Sequence, residues 1–417
     1  MDQYKEYVDL IAGYIVNNVG SLLKEPRAFI RYPFIDPGSV YDGNVWDWDT
    51  YWSVYALLSV CDQFPEALQE KIIRHSKGNV LNFLDHQLED GYIPMMIEVK
   101  DLDEPYLNKK HKEGVLMNMH KPFLCQQICL ISDFISDYSW AEGFLQQLEK
   151  YFTCYAAYYN EEKGLYVWCD DIMIGMDNDP ASFGRPRHST ANIFLNSFMV
   201  MELRAFAKIM RRHKGDLAEK AESFEKKAKD LIAVIQEECW DQRDQFFYSV
   251  DVDIRTRRFD WFHEGLGVFW KTLPIKVRVW SGFLPLLAGF ADPDQAISLV
   301  GHYRDTATFH SNYGITTLAR DEKMYNLEAT NNPSNWLGPV WLVANYAVFK
   351  GFLDYGYRTE AEEICRNSLT LLGEDLKKTG SLHEYYHPDT GEPVMNGGFL
   401  NWNILVLTMV RDLQESS

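Results

Sequence analysis

Apolar residues recur at three- and four-residue spacing over 4–19, 50–61, 65–84, 122–135, 141–158 and 190–213. They do so again over 216–238, 276–288, 293–302, 334–355, 359–372 and 399–412. That spacing lays them on one face of a helix, so the pattern predicts about twelve helices. Gly, Pro, Asn and Asp punctuate the connections. Two short pieces, near 246–252 and 313–318, read as strands set within loops.

The connections alternate in length. Long, aromatic and acidic ones follow Val19, Leu84, Tyr158, Glu238, His302 and Leu372, and those between them are short. Helices paired as hairpins in a double ring would bring every long loop to one face, where functional residues concentrate. The predicted architecture is all-α, an (α/α)6 barrel. An open helical solenoid is the alternative, but no residue-level repeat of fixed period is visible. No Ser/Gly-rich linker or charge block interrupts the 417 residues, so a single domain over 1–417 is expected.

Composition narrows the function. Apolar residues make up 46% of the chain, enough for a large core, and aromatics reach 14%, an excess that a ring-lined cavity would use. A formal charge of −19 sets the chain against nucleic acid and anionic membrane surfaces, both of which attract basic patches. No stretch approaches the roughly 20 apolar residues of a membrane span, and the polar start lacks the apolar core of a secretory signal. Seven scattered cysteines, an odd number, form no disulfide framework and point to a reducing, cytoplasmic compartment. Cys125 and Cys129, four apart on a predicted helix, read as small core residues.

Between Tyr41 and Trp52 the chain packs three tryptophans, two tyrosines and three aspartates into twelve residues. Aromatic faces cover the C–H faces of a pyranose ring while carboxylates accept from its hydroxyls, so rings beside acids suit a neutral polyol. A buried aromatic cluster with Asp47 or Asp49 as a helix cap needs only one acid. His383-Glu384-Tyr385-Tyr386-His387 spells the H-E-x-x-H of zinc peptidases, but Pro388 and Gly380 leave no room for the helix that would align both histidines. Glu384 is thereby free for another role on a loop. Gly175-Met176-Asp177-Asn178-Asp179 follows the strip Trp168-Cys169-Asp170-Asp171; these aspartates match no EF-hand spacing, and capping of a helix near Thr190 requires a reach of ten or more residues. In Asn332-Pro333-Ser334-Asn335-Trp336-Leu337-Gly338-Pro339-Val340-Trp341, Ser334 or Asn335 reads as an N-cap, with one or both tryptophans in the core or lining a cleft.

Taken together, these segments resemble clan G of the glycoside hydrolases, most closely the family 63 α-glucosidases and the mannosylglycerate and glucosylglycerate hydrolases, with trehalases more distant. Trp46-Asp47-Trp48-Asp49-Thr50-Tyr51 resembles W-D-x-D-T-[YF], Gly175-Met176-Asp177 resembles G-[WLM]-D, and the Asn332 to Trp341 segment resembles N-P-x-x-W-R-G-P-[VI]-W. Glu384-Tyr385-Tyr386-His387-Pro388-Asp389-Thr390-Gly391 resembles E-x-Y-[DHN]-P-x-T-G, and Phe399-Leu400-Asn401-Trp402 resembles the tryptophan motif after it. The resemblance implies an inverting α-glycosidase with Asp177 as general acid and Glu384 as general base. It implies that Trp48, Asp49, Gly175 and Trp341 hold the cleaved sugar, that Trp336 borders the leaving group, and that Trp402 closes the pocket near the base. Tyr41 and Lys121 join the expected sugar-binding set. No cofactor or metal ion is implied, and the expected partner is a small carbohydrate.

Two departures stand out. His120-Lys121-Pro122 replaces a Gln-Pro-Pro whose Gln touches sugar hydroxyls, and Leu337 replaces the Arg of W-R-G-P. Asp260-Trp261-Phe262-His263-Glu264-Gly265 reads as a lid or acceptor wall. On the same barrel, a sugar epimerase or unsaturated-uronyl hydrolase is the alternative; an epimerase would draw on His188, His263 and His383 as acid and base. A sugar-binding protein without catalysis is a further one. The rings near Asp177, Trp168 among them, are expected to enclose its carboxyl, and the acids of the 41–52 strip are expected to accept hydrogen bonds rather than donate protons.

Overall fold

The computed structural model describes residues 4–99, 103–254, 270–328 and 334–416. The Asp260 to Gly265 segment, with His263, and the residues Asn331, Asn332 and Pro333 lie outside the described residues.

Helices α1 (Lys5–Asn18), α2 (Asp47–Ser59), α3 (Glu66–Asp85), α4 (Tyr106–Lys112), α5 (Leu124–Ile135), α6 (Leu145–Tyr155) and α7 (Ile193–Arg212) make the first half. The second half holds α8 (Ala218–Glu238), α9 (Leu284–Leu287), α10 (Pro293–Arg304), α11 (Leu342–Asp354), α12 (Arg358–Thr379) and α13 (Leu405–Glu415). Contacts run from α2 to α5, α7, α9, α11, α13 and back to α2, closing an inner ring. The alternate helices α1, α3, α6, α8, α10 and α12 supply the outer members of an (α/α)6 barrel.

Burial separates the two rings. Along α11 every residue from Leu342 to Phe349 is buried, because an inner helix meets neighbours on all sides. On α8 burial follows a single stripe, Ala221, Phe224, Ala228, Leu231 and Ile235, the three-and-four spacing of a helix with one face in water.

Three inner helices begin later than periodicity predicts. The 334–341 stretch is extended, since Pro339 and a Gly338 φ of 141° prevent helix, and α11 starts only at Leu342 with no side-chain cap. Ser334 and Asn335 therefore do not cap it. Residues 276–279 are likewise extended, with Val279 bridged to Leu318, and the helix there shrinks to a 3-10 turn, Trp280–Phe283, plus the single turn of α9. A second 3-10 turn, Asn401–Ile404, leads into α13. Tyr106–Lys112 is a short helix that the apolar pattern does not announce.

The expected strands are two-residue pairs. Phe246–Phe247 pairs with Trp240–Asp241, Val250–Asp251 lies between Thr190–Ala191 and Leu273–Pro274, and His310–Ser311 pairs with Gly314–Ile315. Each pins a long loop back onto the barrel. No helix among the described residues is long and apolar enough to cross a membrane. Cys125 and Cys129 are buried on α5, and the Cys129 thiol donates to the Ala205 carbonyl.

Candidate active site

Among the described residues, five of the six long connections contribute to one cavity of ≈ 380 Å³ at the end of the inner ring. Its lining includes Tyr41, Trp48, Asp49, Lys121, Gly175 and Asp177, together with Trp341, Glu384 and Trp402. That volume lies at the small end of the range for small-molecule sites, about 300–1,000 Å³.

The first wall comes from the aromatic strip. Val45–Trp46 pairs with Met96–Ile97, and α2 starts at Asp47, which turns Trp48 and Asp49 toward the cavity. Asp47 points away, into a fully buried ion pair in which Lys121 Nζ donates to Oδ1 at 2.8 Å. The Lys121 and Trp48 backbone amides also donate to this carboxylate. Lys121 thus lines the cavity with its charge already matched, so it does not stand as an open cation where the family's Gln would be. His120 is buried against Phe83 and is held well below its ordinary range, near 4, by desolvation.

Asp49 accepts from Asn401 Nδ2 at 2.6 Å. Burial, followed by the nearby Asp47 charge, pushes its carboxyl well above the usual range, against the opposing pull of Lys121.

Asp177 sits between two anchors. Asn178 Oδ1 accepts from the Trp336 amide at 2.6 Å, and its Nδ2 donates to Asn335 Oδ1 at 3.2 Å. Asp179, buried, accepts from the Ala181 amide, from Ser182 Oγ and from Asn192 Nδ2. Asn192 is the N-cap of α7, so Asp179 does reach the helix start across thirteen residues and serves the scaffold. Gly175 has φ of 94°; a Cβ there would stand 3.0 Å from Trp48 Cε2 and 3.2 Å from Lys121 Cε. Only glycine allows this loop to lie against the Trp48 face. Trp168 is buried beside Phe194 and is not among the residues that line the cavity.

Glu384 stands on a hairpin. Its amide donates to the Met395 carbonyl, the Val394 amide donates to Tyr385 O, and Tyr386 exchanges hydrogen bonds with Val340, one residue before Trp341. The segment is extended, so the helical alignment that gives H-E-x-x-H its zinc geometry does not form. His383 instead uses Nδ1 to meet Asp375 Oδ2 at 2.8 Å, and Tyr386 Oη donates to the same oxygen. The His383 amide donates to Tyr386 Oη, so this buried carboxylate fixes the turn that presents Glu384. The Glu384 side chain is 3% exposed; Oε1 accepts from Tyr41 Oη at 2.9 Å and Oε2 accepts from Asn396 Nδ2. Burial raises its carboxyl to about 7, with the charge of Asp177 adding to the rise and the two donors opposing it.

The remaining rings form a stack. Trp341 lies face to face with Tyr385 at 4.6 Å on one side and Trp336 at 3.9 Å on the other. Such contacts are worth about 0.5–1.5 kcal/mol each beyond area burial. Trp336 is therefore placed differently from expectation: it stands behind Trp341 and against Trp280, its indole N–H donating to Ser334 Oγ, and does not reach the cavity. Trp402 packs on both Trp48 and Trp341 and donates to the Glu384 carbonyl.

Sequence reading missed Asn396 and Asn401, the amides that hold Glu384 and Asp49. Asn401 lies inside the matched tryptophan motif, whereas Asn396, at φ 50° before two glycines, offered only a turn signal. It also missed the outer lining of Met95, Ile172, Met173 and Phe183.

The family described as "Mannosylglycerate hydrolase MGH1-like glycoside hydrolase domain" matches residues 43–402. Mannosylglycerate hydrolase MGH1 of Selaginella moellendorffii is 35% identical over 125 residues, 29% of this chain and 22% of that protein. The mannosylglycerate hydrolase of Thermus thermophilus is 30% identical over 131 residues, 31% of this chain and 28% of that protein. The chain thus spans about a quarter of the length of these curated relatives. Among solved structures, the GH63 mannosylglycerate hydrolase from Thermus thermophilus in complex with glucose matches with a TM-score of 0.66 at 18% identity, covering 96% of this chain and 98% of that one. Neutral trehalase Nth1 from Saccharomyces cerevisiae matches with a TM-score of 0.61 at 15% identity, covering 93% and 76%. These structures share the barrel, and the extent of the family match places the chain: it belongs to the MGH1-like glycoside hydrolase domain family, of the family 63 type.

Proposed function

We propose that this chain is an inverting, exo-acting α-glycoside hydrolase that releases a monosaccharide, glucose in the first instance, from a small α-linked disaccharide or glucoside. The observation that carries the reading is the opening of Asp177 and Glu384 onto one ring-walled cavity, close enough for the charge of one to raise the other. That repulsion suits an acid–base pair in which one carboxyl keeps its proton while the other is ionised. In this reading the proton resides on Asp177.

Asp177 delivers that proton to the glycosidic oxygen as the C1–O bond breaks. Glu384, ionised, takes a proton from a water that attacks C1 from the opposite face, so the configuration inverts. Tyr41 and Asn396 hold the base by its two oxygens and leave it one orientation. Trp48, Trp341 and Trp402 cover the apolar faces of the sugar, and Asp49 meets its hydroxyls. Trp48 and Trp341, each packed on Trp402, close the cavity below, which supports exo action on a terminal residue. Lys121 contributes its stem and any donor that Asp47 leaves over. Relatives named as mannosylglycerate hydrolase and probable mannosyl-oligosaccharide glucosidase support a glycosidic substrate. Among the described residues no histidine lines the cavity, His188 and His383 included.

The test is a proton NMR time course on α-glucosides, α-mannosides and α-galactosides. The β-anomer should appear first as free sugar, and Asp177→Asn and Glu384→Gln should each lower kcat by orders of magnitude. Near-full activity in both variants, or first release of the α-anomer, rejects the assignment.

A further inference from the structure

The mouth of the cavity differs from its floor. Ile172 is 64% exposed and Phe183 58%, although both line the opening. Half-buried Met173 and Trp46 continue the lining inward and pack on a small buried apolar cluster of Met95, Met96 and Leu107. Large apolar side chains left in water at the mouth of a pocket mark a contact surface. Below this rim the charges are one-sided. Four carboxyls line the cavity, Asp49, Asp171, Asp177 and Glu384, against a single cation, Lys121, which is buried and paired with Asp47. Asp171 is also occupied, accepting from the Gly184 amide.

We propose, resting on the reading above, that the leaving-group side accepts an uncharged apolar aglycone, an alkyl or aryl group, rather than glycerate or a second sugar. A carboxylate aglycone would meet the like charges of Asp171 and ionised Glu384, and the one cation among the described lining residues, Lys121, is already held by Asp47. A second sugar exposes a hydroxyl on nearly every carbon, and the side chains of Ile172, Met173, Met95 and Phe183 cannot replace the water those hydroxyls would lose. An alkyl chain loses nothing by leaving water and gains with each methylene covered. The thioethers of Met95 and Met173 adapt to chains of different shape.

The experiment compares kcat/KM for methyl, hexyl and glycerate α-glycosides of glucose and of mannose. Methyl and hexyl alcohols leave with similar ease, so their ratio reads contact at the rim rather than leaving-group chemistry. Full burial of one methylene is worth about fourfold, and partial burial of five should favour hexyl by about tenfold or more. The glycerate conjugate should fall below the methyl glycoside. In the Ile172→Ser/Phe183→Ser double variant, which alters exposed positions, the hexyl-to-methyl ratio should drop to below about threefold. Cleavage with a ratio near one, or with the glycerate conjugate preferred, overturns the proposal and leaves the hydrolase reading in place. Failure to cleave any of the six overturns that reading and the proposal with it.

Discussion

Replacing Glu384 by Gln should abolish turnover and make the protein more stable, by an amount that grows as pH rises from about 4.5 to about 7. In the folded chain, burial and Asp177 raise this carboxyl from its ordinary 4.5 to about 7. A carboxyl so raised contributes its full stability below about pH 4.5. That contribution is lost as pH rises toward about 7, where the folded state must at last carry the buried charge. At about 1.4 kcal/mol per pH unit, the loss is about 3 kcal/mol at pH 8. Gln removes the charge and keeps the contacts, since its oxygen accepts from Asn396 and its amide donates to the Tyr41 oxygen. An unfolding entropy of about 2.1 cal/mol/K per residue over 417 residues converts this into about 3–4 °C. Thermal melts of both proteins from pH 4.5 to 8, at several scan rates to expose irreversible unfolding, provide the measurement. The Tm difference should be near zero at pH 4.5 and favour the variant at pH 8. A difference that does not change with pH, or one that favours the native protein at pH 8, refutes the reasoning that Glu384 bears an uncompensated desolvation cost.

The same titration sets the acid limb of catalysis: kcat/KM should rise with pH up to about 7 as Glu384 ionises, and an activity that instead falls through that range would exchange the roles of the two carboxyls. Lys121→Met should cost about 3–5 kcal/mol in urea denaturation by stranding Asp47, while Asp47→Asn/Lys121→Met should recover most of it; equal losses would show that the pair is not coupled. Gly175→Ala should cost about 1–3 kcal/mol through its left-handed backbone, and should lower kcat/KM further by displacing Trp48 from the wall; an unchanged kcat/KM would place that wall outside the sugar's contact.

Much of the architecture was legible because helical periodicity is local. Three- and four-residue spacing lies within one segment, and the alternation of long and short connections then pointed to a ring with its long loops on one face. The carboxyls Asp177 and Glu384 stood out for a similar reason, each within a short motif bounded by turn residues. Where neighbours in the chain differ in role, the pattern failed. Asp47 and Asp49 are two residues apart, yet one neutralises Lys121 in the core and the other faces the cavity with its carboxyl raised by burial. Trp336 and Trp341 read alike, but stacking puts one behind the other, so only Trp341 reaches the cavity. Asp177 and Asp179 are separated by one residue, and the contact with Asn192 that makes Asp179 a scaffold residue spans thirteen. By itself the sequence determined which residues form helices and which carboxyls sit on loops, since both depend on spacing along the chain. The tertiary structure decided which acid is paired, which is buried and which is open, because burial and charge pairing depend on residues that only folding brings together.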